Sequence, residues 1–98
     1  MQECNCHKTK KRTVEEYKSL LNRLSRIEGQ IRGIRSMVEK DAYCTDILMQ
    51  TSAVTAALDA FSRELLSNHI HTCVAEDIRQ GKDGIIDELM DTLKKMMR

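Results

Sequence analysis

From Ala42 to Arg79 the chain runs 38 residues without a glycine or a proline. Strands are short and are bounded by such breakers, so this stretch predicts a helix. Its apolar positions include Ile47, Leu48, Val54, Leu58, Phe61, Leu65 and Ile78. At 1.5 Å per residue the helix would be roughly 57 Å long. The chain has only 98 residues, too few to cover such a helix alone. The stretch therefore predicts an all-α fold and a partner for the long helix. Four glycines and no proline in the whole chain leave too little turn material for an all-β alternative.

Two further helices flank it. Thr13-Val14-Glu15-Glu16 has the capping-box pattern, with Thr13 at the N-cap. Tyr17, Leu20, Leu24, Ile27, Ile31, Ile34 and Val38 then recur at alternating spacings of three and four. That is the narrow apolar seam of a helix packed on other helices. Lys18, Arg23, Arg26, Arg32 and Arg35 lie off the seam. Gly29 and Gly33, four apart, suggest close approach of another backbone. Glu39-Lys40-Asp41 reads as a break, with Asp41 as the next N-cap. Gln80–Gly84 reads as a loop, and Ile85, Ile86, Leu89, Met90, Leu93 and Met97 as the apolar side of a short third helix. Residues 1–12 are polar and basic and read as a mobile tail, leaving 13–98 as one domain. No internal repeat is present.

Ala53, Ala56, Ala57 and Ala60 cluster near the middle of the long helix. Small residues allow close helix contact, and the simplest partner is a second copy running antiparallel across a two-fold axis. The alternative is an alanine run that serves helix propensity alone.

The formal charge is +1, but it is uneven. Residues 1–40 carry ten basic and five acidic side chains, a balance of +5; residues 41–98 carry six and ten, a balance of −4. A basic first part suggests an anionic partner. Aromatics are 3% of residues, too few for a platform stacking single-stranded nucleic acid. No apolar run approaches the ~20 residues that span a bilayer, and the polar N-terminus does not resemble a secretory signal. A cytoplasmic location is expected, where four cysteines point to metal or redox chemistry before disulfides.

Cys44 falls in the first turn of the long helix; His69 and Cys73 fall near its far end, four apart and on one face. Within one unbroken helix Cys44 and Cys73 would be roughly 43 Å apart. In an antiparallel pair they meet, because their midpoint falls at Leu58 and Asp59, inside the alanine cluster. Two thiolates and an imidazole form a soft set that suits Cu(I) or Zn, and three ligands without a fourth suit Cu(I) better than a structural zinc. The alternative is that the cysteines are small buried apolar residues and His69 a satisfied core histidine. The His69–Cys73 pair, with Cys44 where symmetry requires it, favours the metal. His71 points elsewhere and is not counted as a ligand. Cys4, Cys6 and His7 form an auxiliary metal-capture candidate, or else an exposed segment with adventitious affinity.

Asn22-Arg23-Leu24-Ser25-Arg26-Ile27-Glu28-Gly29-Gln30-Ile31-Arg32-Gly33-Ile34 resembles the first-helix signature of the CsoR/RcnR family of bacterial metal-responsive repressors. Ala42–Leu48 with Gln50–Val54 resembles the start of that family's second helix, and His69–Val74 its far end. The resemblance spans about residues 13–95. It implies an all-α fold of three helices per chain and an antiparallel helical-bundle dimer that assembles as a dimer of dimers. It implies operator DNA bound by the apo form and released on binding the inducer, without a helix-turn-helix. Cys44, His69 and Cys73 match the triad of the copper-sensing members. The nickel and cobalt branch has His where Cys73 stands, and the persulfide branch lacks the His. Tyr43 and Glu88 resemble the residues that support the copper ligands, although the loop at Gly81–Gly84 is one residue shorter than usual. Arg23 is the leading DNA-contact candidate by resemblance, followed by Arg26, Arg32, Arg35 and Arg63.

The expected function is thus a Cu(I)-sensing transcriptional repressor. Partners would be double-stranded operator DNA and further copies of the chain, with the metal site shared between chains. The alternatives are a repressor answering to persulfide, Ni, Co or Zn, and a copper-storage or transfer module without a DNA role. No nucleophile–base–orienter arrangement suggests an enzyme.

Overall fold

The computed structural model of the chain describes residues 12–97, and every regular element among them is helical. Cys4, Cys6 and His7, and all of the expected tail except Arg12, lie outside the described residues. The elements are α1 (Val14–Glu39), α2 (Cys44–His69), a π-helical turn (Ile70–Val74), α3 (Ala75–Arg79) and α4 (Gly84–Met96). Since α2, the π turn and α3 follow one another without a break, there are three helical stretches, as the sequence implies.

Thr13 caps α1 as expected: its side chain accepts from the Glu16 backbone N–H at 3.2 Å. Glu15 and Glu16 in the first turn complement the positive end of the helix dipole. The other end of α1 differs from expectation. Asp41 is not an N-cap; it adopts φ 55° and closes α1. The Asp41 N–H donates to the Val38 carbonyl at 3.1 Å and the Ala42 N–H to the Met37 carbonyl at 2.9 Å. Both bonds satisfy orphan carbonyls of the last turn in a Schellman-type arrangement. Aspartate tolerates the left-handed region better than most side chains, so a helix-ending role is open to it without glycine. α2 starts later, at Cys44, where the Tyr43 carbonyl accepts from the Asp46 and Ile47 N–H groups.

The long helical path does reach Arg79, but with one wide turn. The Ala75 N–H donates to the Ile70 carbonyl, five residues back. Just before this turn, Thr72 Oγ1 donates to the Asn68 carbonyl at 2.7 Å, and His71 Nδ1 lies 2.8 Å from the Ser67 carbonyl. Side chains that reach back one turn compete with the backbone ladder and bend helices. Thr51, Thr55 and Thr92 make the same backward bond within regular α-helix, so these bonds accompany the widening and do not by themselves produce it. Downstream, Gly81 at φ 77° ends α3, with the Lys82 N–H donating to the Asp77 carbonyl at 2.8 Å. It is the same closing motif as at Asp41, here with glycine.

Residues 12–65 form one compact unit, and residues 66–97 belong to a second. In the first, Leu20, Ile27 and Val54 are buried. The α1 seam is only partly covered within the chain: Leu24 and Ile34 are half-buried, whereas Tyr17, Ile31 and Val38 remain 58%, 51% and 57% exposed. A Cβ built at Gly29 or Gly33 meets nothing within 4 Å, so the expected close backbone approach does not occur within the chain. In the second unit Cys73, Val74, Asp77 and Ile85 are buried. Among the described residues no helix is long and apolar enough to cross a membrane.

Candidate metal centre and nucleic-acid interface

The three proposed ligands occupy defined places on the long helical path. Cys44 is the first residue of α2, with an exposed, free cysteine side chain. His69 is the last residue of α2 and is half-buried. Its ring makes no hydrogen bond to any other described residue. Cys73 lies in the π turn and is completely buried. Thr72 Oγ1 approaches its sulfur at 3.6 Å. Among the described residues no three His, Cys, Asp or Glu side chains of the one chain gather into a metal-binding group.

The π turn changes the setting of this segment. It places His71 on the surface with its Nδ1 on the Ser67 carbonyl. A carbonyl only accepts, so Nδ1 carries the proton. His71 is thereby tied to the backbone of the preceding turn.

The two residues expected to support the ligands, Tyr43 and Glu88, belong to different units. Tyr43 immediately precedes α2 and is exposed. Glu88 lies on the exposed side of α4, with its carbonyl accepting from Thr92 Oγ1 at 3.0 Å.

All five DNA-contact candidates belong to the unit of residues 12–65. Arg26, Arg32 and Arg63 are exposed. Arg35 is paired loosely with Glu39 at 3.5 Å, both side chains being largely solvated. Arg23 differs. Its Nε donates to Glu64 Oε2 at 2.9 Å, and Ser19 Oγ donates to the other oxygen, Oε1, at 2.6 Å. Sequence reasoning missed Ser19 and Glu64. Ser19 and Arg23 are four apart and visibly share a face of the first helix, but nothing in the sequence pairs them with an acid 45 and 41 residues away.

Residues 16–95 match the family of metal-sensitive transcriptional repressors. Over its whole length the chain is 48% identical to the copper-sensing transcriptional repressor CsoR of Bacillus subtilis, covering 99% of that protein. Its structure resembles the Cu(I)-bound copper-sensing repressor CsoR of Geobacillus thermodenitrificans, with a TM-score of 0.87 and 45% identity over 92% of this chain and 95% of that one. The nickel-responsive transcriptional regulator InrS is also similar, with a TM-score of 0.71 and 34% identity over 91% of this chain and 98% of that one. A copper sensor and a nickel sensor thus share the fold, and the metal must be argued from the ligands. With its helices, its long central path and its match over nearly every residue, this chain belongs to the metal-sensitive transcriptional repressor family.

Proposed function

We propose that the chain is a Cu(I)-responsive repressor that holds operator DNA without metal and leaves it when Cu(I) binds. The site is formed by Cys44 of one chain with the partner's His69 and the partner's Cys73, twice per antiparallel dimer. The observation that carries this reading is the unbroken course of α2 from Cys44 to His69. Helical rise separates these ends by about 37 Å, so a second chain is needed to bring the ligand types together. The exposed apolar residues of α1 and of α2, among them Leu48, Met49 and Leu58, give that second chain a face to cover. A dimer of such dimers completes the assembly.

The donor set fits Cu(I). Two sulfurs and one imidazole nitrogen are soft ligands, and the set supplies three of them without the fourth that structural zinc takes. Cu(I) supplies a soft cross-link between chains. The protein's part is to carry that constraint along α2 to the unit of residues 12–65, where the arginines lie. Arg23, Arg26, Arg32, Arg35 and Arg63 contact the DNA backbone, with Tyr43 and Glu88 supporting the ligands. By linkage, Cu(I) must bind free protein more tightly than DNA-bound protein.

The exposed, free thiol of Cys44 leaves a second reading, a response to oxidising sulfur species through Cys44 and Cys73, in which His69 is dispensable. One experiment separates the two. Operator release is followed while Cu(I), Ni(II), Zn(II) or a persulfide donor is added to reduced protein. The proposed function predicts release by Cu(I) that is lost in His69→Ala. Release by Ni(II) alone, or by persulfide with His69→Ala unimpaired, would contradict it.

A further inference from the structure

We propose that Glu64 is a positioning residue for operator binding: it holds the Arg23 guanidinium in the orientation that receives a DNA phosphate. The inference rests on the DNA-binding reading above. Ser19 and Arg23 are one turn apart on α1, so both face the same stretch of α2. Glu64 takes one hydrogen bond from each on separate oxygens, 2.6 Å from Ser19 Oγ to Oε1 and 2.9 Å from Arg23 Nε to Oε2. The serine fixes the plane of the carboxylate, and the carboxylate fixes Nε.

A guanidinium is planar, so a bond at Nε also fixes the directions of both terminal nitrogens. Those terminal nitrogens make no hydrogen bond to the described residues, and the Arg23 side chain is 42% exposed. They are the nitrogens that grip a phosphate in bidentate fashion. Arg35 shows the contrast. Its partner Glu39 lies on the same helix at 3.5 Å, with side-chain exposures of 82% and 66%, and such a solvated pair orients little.

Positioning and plain electrostatics predict opposite signs. Glu64 places a negative charge beside a DNA contact, so on charge alone its removal would strengthen binding. If it positions Arg23, its removal frees a long side chain that must then be ordered when DNA binds, which weakens binding about three- to tenfold per site. Ser19→Ala sharpens the contrast, because it removes an anchor of the carboxylate and changes no charge.

The test measures operator affinity of the apo protein at several salt concentrations for Ser19→Ala, Glu64→Ala, Arg23→Ala and the two doubles with Arg23→Ala. Cu(I) affinity of the free protein and helix content serve as controls for folding. The expected result is that Ser19→Ala and Glu64→Ala each weaken binding in the presence of Arg23, with the salt slope flattened as in Arg23→Ala. In the Arg23→Ala background, Ser19→Ala should have no effect and Glu64→Ala none or a slight strengthening. If Glu64→Ala tightens binding while Arg23 is present, or if Ser19→Ala acts equally in both backgrounds, the positioning role is overturned and the DNA reading stands. If Arg23→Ala itself leaves affinity and salt slope unchanged, the DNA surface has been misplaced and the role of Glu64 falls with it. Should Glu64→Ala fail to fold, Ser19→Ala decides alone.

Discussion

Cys44 opens α2 and His69 closes it, with no interruption of the helix between them. In the proposed site this relationship separates the two ligand groups by the length of the helix, and it would make metal sensing a property of the assembled chains. Cys44 also lies on the solvent-exposed rim of the unit that carries the arginines. Cys44→Ala should therefore fold, keep apo operator binding within about twofold, and lose the response to Cu(I). Loss of operator binding by a folded Cys44→Ala protein, measured by fluorescence anisotropy, would show that sensing and DNA contact are not separable in this way.

Copper binding should require the thiolate of Cys73, because an oxidised sulfur lacks the charge that makes thiolate a metal ligand. Protein treated with a thiol reductant should bind one Cu(I) per chain against a competing chelator, and oxidised protein should bind none at that affinity. Equal copper counts in the two states would remove Cys73 from the ligand set.

DNA binding should weaken steeply as salt rises, because each neutralised phosphate releases counterions. Arg23→Ala should lower affinity further and reduce the slope of log K against log salt by about one. Cu(I) affinity of the free protein should hardly change, since Arg23 bonds to Glu64 and to no proposed ligand. An unchanged slope would move the DNA contact to the other arginines.

Helix ends offer a check on the fold itself. Gly81 has φ 77°, and an added Cβ there would meet no neighbour within 4 Å. Gly81→Ala should then cost about 1–2 kcal/mol from backbone conformation alone. Thr13→Ala, which removes the bond to the Glu16 N–H, should cost about 1 kcal/mol. Denaturant melts at fixed protein concentration measure both. A neutral Gly81→Ala would mean that the turn relaxes out of the left-handed region.

Much of this architecture is legible in the residues because it depends on local chemistry. Thr13 with Glu16, the seam from Tyr17 to Val38 and the breaker-free run to Arg79 each act within a few turns of helix. The exceptions are instructive. Aspartate is a good N-cap, so the sequence predicts that Asp41 starts a helix, but it ends one, since the left-handed region also admits it. The π turn leaves no mark on the sequence: Thr72 bonds backward there as Thr51 and Thr55 do in regular helix, so residue type does not tell where the path widens. The seam from Tyr17 to Val38 predicts a helix packed along its length, yet Tyr17, Ile31 and Val38 stay exposed in the single chain. The Ser19–Glu64–Arg23 cluster depends on how α1 packs against α2 and leaves no mark on the sequence of either.

The central claim is that each copper site is shared between two chains, and a complementation experiment tests it most directly. A Cys44→Ala chain and a Cys73→Ala chain are refolded together, and the heterodimer is isolated by distinct tags under reducing conditions. One of its two sites has lost both cysteines. The other combines Cys44 of the Cys73→Ala chain with His69 and Cys73 of the Cys44→Ala chain. The account predicts one tight Cu(I) per heterodimer in the presence of a competing chelator, although neither parent homodimer holds any. A copper count no higher than in the parents would contradict the shared site, and with it the route from copper to the DNA-binding face.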